Sequence, residues 1–294
     1  MKRLKMLFLI CTMMAASLSG LCQSTGIPKR IVIDAGHGGH DLGAPGALVD
    51  EKELTLAIAL RTGQAINKLL PEVHVIFTRT SDVFVPLHQR AALANSSTAD
   101  LFISIHCNSS PSPTLFGSES YVMGIHKTQE NFEVAKKENT ALLTELNFTE
   151  NYEGFNPDSD EDYIMLHLLQ NNNLKQSISL ARMVQQQMRT TARLYDRGVK
   201  QAGFVVLYLT TMPGVLIETG FVSNPAEEKF LIDTLNQQNI ANAIARAVMD
   251  YRLSLLPAPQ MIVPADTITL PKENIKDHQI PRSQTFLSRR RLKL

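Results

Sequence analysis

The 294-residue chain sets 29 Lys and Arg against 28 Asp and Glu, a formal net charge of +1. That balance excludes the basic footprint of a nucleic-acid binder, and the length allows one large domain or two small ones with a full core. Hydrophobic residues at 44% and charged residues at 19% are those of an ordinary globular protein.

The first stretch, MKRLKMLFLICTMMAASLSGLCQS, places three positive charges before an uncharged run from Met6 to about Ala16, followed by small residues. This is the pattern of a secretory leader over 1–24, with an apolar run too short to span a bilayer. Cleavage is expected close to Cys22 or Ser24. Leu21 is a poor fit to the small residue that lipoprotein processing prefers before a lipidated Cys22. Cys11 leaves with the leader and Cys107 stays, so no disulfide framework is expected and stability must come from the core.

RIVIDAG (30–36) reads as a buried strand, and EKELTLAIALRTGQAINKLL (51–70) has the apolar spacing of a helix. EVHVIFTR (72–79) alternates as a strand. PLHQRAALANSS (86–97) opens on a proline suited to a first helical turn, and DLFISIHCN (100–108) is a strand again. Strand, helix, strand, helix, strand predicts an α/β fold. The expectation is a three-layer sandwich whose sheet is mainly parallel, partly mixed, with helices on both faces.

GSESYVMG (117–124) reads as a further strand. From about 125 to 173 the sequence turns polar, acidic and irregular, an insertion with short helices expected around 130–146 and 160–170, the latter capped by Ser159. A regular amphipathic helix resumes over 174–191. FVVLYL (204–209) and GVLIETG (214–220) read as two more strands, and 224–256 as long C-terminal helix. In NPAE (224–227), Asn224 caps, Pro225 takes the first turn and Glu227 closes a capping box. The folded domain is thus expected over 25–256. The proline-punctuated tail, 257–294, ends SRRRLKL and reads as a flexible basic extension.

Chemistry gathers where strands end. His37 follows the first strand directly, in a loop, IDAGHGGHDLGAPG, with five glycines. His106 ends FISIH and Glu218 ends VLIE, while Glu51 opens the first helix and can reach the same place. In parallel sheets the carboxyl ends of the strands line the ligand crevice. Two imidazoles and a carboxylate make a three-ligand zinc site with a fourth position for water, and a second carboxylate can serve as base. Each residue alone has a plainer reading: a turn-capping or core histidine, or in Glu51 a favourable charge at a helix N-terminus. Glu218 resists one, because a carboxylate ending a buried strand needs a partner. His40 competes most closely for the metal.

Taken in order, IVIDAGHGGHDLGAPG, EK, FISIHCNSS, RGVKQAGFVVL and GVLIETGFVSNPAEE resemble the motifs of zinc-dependent N-acetylmuramoyl-L-alanine amidases of bacterial cell-wall turnover, from about Arg30 to Tyr251. The resemblance implies one zinc ion per chain held by His37, Glu51 and His106, with Glu218 as catalytic base. Glu53 is disfavoured, because the family pattern places the acid directly before Lys52. The implied substrate is peptidoglycan, cut between N-acetylmuramic acid and L-alanine, for wall remodelling or daughter-cell separation. The implied setting is a periplasmic monomer with no nucleic-acid partner and no membrane span once the leader is gone.

Two other readings of the same residues stand beside it. One is a zinc carboxypeptidase or other exopeptidase, which needs a basic residue for a terminal carboxylate; the other is an inactive peptidoglycan-binding module. No peptidoglycan-binding repeat follows the predicted catalytic domain. The insertion is similar to that of family members whose extra helix covers the site until a protein activator draws it away. On that view a carboxylate from Glu130, Glu133 or Glu138 occupies the open metal position. The plainer view is a surface excursion that never touches the site.

Overall fold

The computed structural model describes residues 26–159, 161–164 and 173–257. The predicted leader, the tail beyond Pro257 and most of the expected helix at 160–170 lie outside the described residues. Six strands, β1 (Arg30–Ala35), β2 (His74–Phe77), β3 (Leu101–Asn108), β4 (Ser118–Met123), β5 (Asp196–Ala202) and β6 (Gly214–Phe221), form one sheet in the order β2-β1-β3-β6-β4-β5. The first four of that order are parallel; β4 is antiparallel to β6 and β5 is parallel to β4. The sheet is therefore mixed, as expected.

β1 and β3 are central and buried on both faces, which is why both are near-continuous apolar runs. Ile31, Ile33, Ile103 and Ile105 point to one side. There they meet α1 (Glu51–Leu69), α5 (Leu174–Thr190) and α8 (Thr234–Ser254) through Ile58, Val184 and Ile244. Val32, Phe102, Tyr121 and Leu216 point to the other. That face is covered by α2 (Leu87–Ser96), α3 (Gln129–Asn139) and the single turn α6 (Val205–Tyr208), with a 3₁₀ turn at Thr140–Thr144 and the short α4 (Phe148–Asn151) beyond α3. Helices lie on both faces of the sheet, giving three layers.

Four local expectations are corrected. FVVLYL is no strand: Val205–Tyr208 is helical, and the strand is the preceding DRGVKQA. A four-to-six-residue apolar run is ambiguous by periodicity, and here Gly203 and Phe204 turn the chain off the sheet. The C-terminal helix is two, α7 (Pro225–Ile232) and α8, parted at Asp233, whose carboxylate caps α8 through Leu235 and Asn236 N–H. Asn224 does cap α7, but Glu227 closes no box; its carboxylate accepts from Phe221 N at 2.7 Å and Gly117 N at 2.7 Å. In the insertion, the expected helix over 130–146 is α3 followed by the 3₁₀ turn, and Ser159 accepts from Asp162 N at 3.2 Å ahead of a helical stretch at 161–164.

Candidate metal centre

The glycine loop after β1 makes room for two imidazoles. A side chain at Gly36 would occupy the place of the His106 ring. Gly43, at φ +70°, lies so close that a Cβ would sit 2.6 Å from His37 Cδ2 and 2.7 Å from Glu51 Oε2. His37 itself adopts the left-handed conformation, φ 60°, which costs an L-residue about 1–2 kcal/mol. Two buried arginines hold it there. Arg90, on α2, donates to the His37 carbonyl at 2.8 Å, the Ala35 carbonyl at 2.6 Å and Asp34 Oδ1 at 2.8 Å. Arg79 ties the Gly36 carbonyl (2.8 Å) to the Lys52 carbonyl (2.7 Å), locking the loop of His37 to the helix of Glu51.

His37, Glu51, His106 and Glu138 meet: each offers a ligand atom, all within 4.8 Å of one another, and all four are buried. His37 Nδ1 bonds Asp41 Oδ2 at 2.9 Å, which fixes the ring and aims Nε2 inward. Facing Nε2 are Glu51 Oε2 at 3.2 Å and Glu138 Oε2 at 3.1 Å. His106 Nδ1 faces Glu51 Oε1 at 3.1 Å and Glu138 Oε2 at 3.0 Å. Glu51 is anchored by Ala44 N at 2.8 Å and Cys107 N at 2.9 Å.

His37 Nε2 and Glu138 Oε2, both fully buried, are in charge contact with each other, yet neither has a partner in hydrogen-bond geometry among the described residues. Buried polar atoms left without a well-aligned hydrogen bond are costly inside a protein, and these converge on one point with a donor set of two imidazoles and carboxylates. That set suits zinc. Burial alone would lower the His106 pKa, yet the carboxylates of Glu138 and Glu51 outweigh it and push it to about 10. His37 is raised well above its ordinary value against burial, by Glu51 and then Glu138. The cluster thus attracts positive charge strongly, and a cation competes with those protons for the same nitrogens.

Glu218 lies beside this group, not in it. It is register partner of His106 on β3 and of Glu119 on β4. It is wholly buried, and neither carboxylate oxygen has a hydrogen bond among the described residues. Burial, then the charge of Glu138, raises its pKa well above the carboxylate range; a divalent cation nearby would act in the opposite sense. Glu119 is neutralised instead, by Lys200 Nζ, Arg197 Nε at 3.2 Å, Asn108 Nδ2 at 2.6 Å and Tyr121 OH at 3.1 Å.

The insertion supplies Glu138. Thr128 caps α3 by accepting from Asn131 N at 3.3 Å, and Phe132 and Ala135 bury into the second core cluster. Asn139 bonds the Gly203 carbonyl at 2.8 Å and accepts from Val205 N at 3.0 Å. Glu145 accepts from Leu87 N at 2.7 Å and from Tyr152 OH at 2.8 Å, docking the segment on the first turn of α2. Of the three carboxylates singled out, Glu138 reaches the cluster, whereas Glu130 and Glu133 are exposed. His40 is exposed and lies against Phe84, with ring centroids 4.1 Å apart; Glu53 is exposed too.

Residues 31–250 match the family of N-acetylmuramoyl-L-alanine amidases. The chain belongs to that family. AmiA of Salmonella typhimurium, an N-acetylmuramoyl-L-alanine amidase, is 32% identical over 234 residues, 78% of each chain. AmiC of Neisseria meningitidis is 34% identical over 226 residues, 75% of this chain and 52% of its own. Among solved structures, an amidase from Clostridium difficile 630 superposes with a TM-score of 0.58 at 28% identity, over 78% of this chain and 99% of that one. The CwlD amidase from Clostridioides difficile, solved with the GerS lipoprotein, gives 0.57 at 25% identity, over 78% and 100%. The enzyme is therefore a peptidoglycan amidase, and the exopeptidase and inactive-module readings fall away. Among the described residues no helix is long and apolar enough to cross a membrane.

Arg79, Arg90, Asp41 and Glu119 escaped the sequence reading. A charged residue set in an alanine-rich helix (LHQRAALAN) or closing a strand (VIFTR) was the available signal for the arginines.

Proposed function

We propose that this amidase is a zinc enzyme whose described form is closed on itself. His37, Glu51 and His106 would hold the metal, Glu218 would act as base, and Glu138 would occupy the position that water and substrate need. The observation that carries the reading is the convergence of the buried His37, Glu51, His106 and Glu138 ligand atoms beside a Glu218 carboxyl with no hydrogen bond among the described residues. Bound at this cluster, zinc would supply a Lewis acid for the scissile carbonyl and lower the pKa of water.

The bond cleaved joins the lactyl group of N-acetylmuramic acid to L-alanine of the stem peptide. Glu218, free of competing hydrogen bonds, takes a proton from the attacking water and returns it to the departing alanine nitrogen. Asp41, Arg79 and Arg90 keep the His37 loop in place through the cycle. Digesting purified peptidoglycan and identifying the new ends by mass spectrometry tests the reaction. Intact stem peptides starting at L-alanine are expected; ends at any other bond contradict it.

Glu138 must leave for substrate to enter, so the reading includes a protein partner that draws α3 away. The relative solved with a lipoprotein supports a protein partner for this family; such a partner has to offset the burial of Phe132, Ala135 and Leu142 as well as the polar contacts of the insertion. Residues 25–256 form the catalytic unit in this reading, exported to the periplasm by the leader at 1–24, with a role in wall remodelling or daughter-cell separation.

A further inference from the structure

β4 runs antiparallel to β6 with Glu119 opposite Glu218, so the start of β4 lies at the same sheet edge as the candidate base. β5 is parallel to β4 and begins at that edge as well. Just ahead of these two strands stand Phe116 and Tyr195, with ring centroids 5.2 Å apart and planes at 53°. Phe116 is 49% exposed and Tyr195 59%. Neither belongs to either core cluster. Phe116 lies three residues before Glu119, at most about 10 Å along the chain.

The backbone beneath the rings is fixed. Ser118 N donates to the Tyr195 carbonyl at 2.9 Å, Gly117 N to Glu227 at 2.7 Å, and Asn224 Nδ2 to the Leu115 carbonyl at 3.1 Å. Gly117 has φ +101°, and a Cβ there would stand 2.5 Å from the Tyr195 carbonyl oxygen. This is the second task of the NPAEE motif: Asn224 and Glu227 hold the Phe116 segment as well as starting α7. Two touching rings left about half exposed on a fixed backbone form an apolar patch open to a ligand.

We propose that Phe116 and Tyr195 form an aromatic shelf that seats the glycan strand of the substrate. The inference rests on the amidase reading above and goes beyond it by naming the subsite and the half of the substrate it takes. Flat aromatic faces match the C–H faces of pyranose rings, and a shelf at the sheet edge that carries Glu218 would seat a sugar chain whose muramoyl unit carries the scissile amide. The acidic stem peptide is the poorer occupant, because Arg197 and Lys200, on the strand that follows Tyr195, are both engaged with Glu119.

Peptide-free oligosaccharides of alternating N-acetylglucosamine and N-acetylmuramic acid, and separately free stem peptide, can be titrated against the whole protein and its Phe116→Ala/Tyr195→Ala variant. Both rings are about half exposed and outside the core clusters, so the variant should fold with only a small fall in thermal midpoint. Oligosaccharide affinity should fall about tenfold or more, the scale of two aromatic contacts, with stem-peptide affinity unaltered. On polymeric peptidoglycan the variant should show a raised KM with kcat close to the parent. Equal oligosaccharide affinity in both proteins, no oligosaccharide binding by the parent, or a loss confined to the peptide overturns the shelf. The bond cleaved by the parent is read independently, so failure of the shelf and failure of the amidase reading are separate results.

Discussion

Replacing Glu138 with alanine probes the closed form directly. Its carboxylate lies 3.1 Å from His37 Nε2 and 3.0 Å from His106 Nδ1, the contacts that bring α3 onto the cluster. A contact to a charged group is worth about 1.5–3 kcal/mol. Losing it shifts a closed–open balance by roughly ten- to hundredfold and clears the position for water. The helix itself should stay folded, because Phe132 and Ala135 remain in the core and Asn139 keeps its bonds to Gly203 and Val205. A point change is therefore cleaner than excising 128–146, which would strip Phe132, Ala135 and Leu142 from that cluster. The assay is release of soluble fragments from insoluble peptidoglycan with no other protein present, at matched zinc content. At least about a tenfold faster release is expected from the shift above. A folded, zinc-loaded Glu138→Ala enzyme no faster than its parent refutes the blocking role.

His106→Ala should bind little zinc and be inactive, whereas His40→Ala should keep its metal, measured by elemental analysis after dialysis; equal losses would reassign the ligand. Chelation should abolish hydrolysis but leave the protein folded, and zinc at a thousand times Kd should restore about 4 kcal/mol of stability, read as a rise in Tm. Arg90, Ser104 and Thr78 outweigh burial and hold the Asp34 carboxyl below its ordinary 3.8. Its contribution is therefore complete above about pH 4 and is lost as pH falls through the lowered folded value. Asp34→Asn should lose about 3–5 kcal/mol at neutral pH, with the gap to the parent narrowing in urea titrations below about pH 4; a gap constant into strong acid contradicts the pairing.

The strands that carry the candidate site were legible because each polar residue closes a buried apolar run, at His106 and Glu218, or follows one, at His37. Parallel pairing then brings those ends to one edge. Glu51 was harder, since an acid at a helix start has an ordinary electrostatic explanation, and its reach depends on a glycine loop whose path the sequence does not specify. Glu138 could not be told from Glu130 and Glu133, which share its helix; packing of Phe132 and Ala135 decides which turn faces the cluster. β5 was missed because DRGVKQA is polar and carries Gly198. Its side chains serve Glu119 more than a core, as Arg197 and Lys200 attest. Glu227 fits a capping pattern in one dimension, but its partner, Gly117, is 110 residues away.

The most direct test of the account is zinc content and turnover measured together in Glu218→Gln. The carboxyl stands outside the four-residue cluster and has no hydrogen bond to lose, so the variant should fold and hold zinc one-to-one. Turnover on peptidoglycan should fall by at least about a hundredfold, the scale of a lost general base. A folded Glu218→Gln protein that loses its zinc, or one that keeps both zinc and rate, would contradict the assignment of Glu218 as the base beside a His37–Glu51–His106 metal centre.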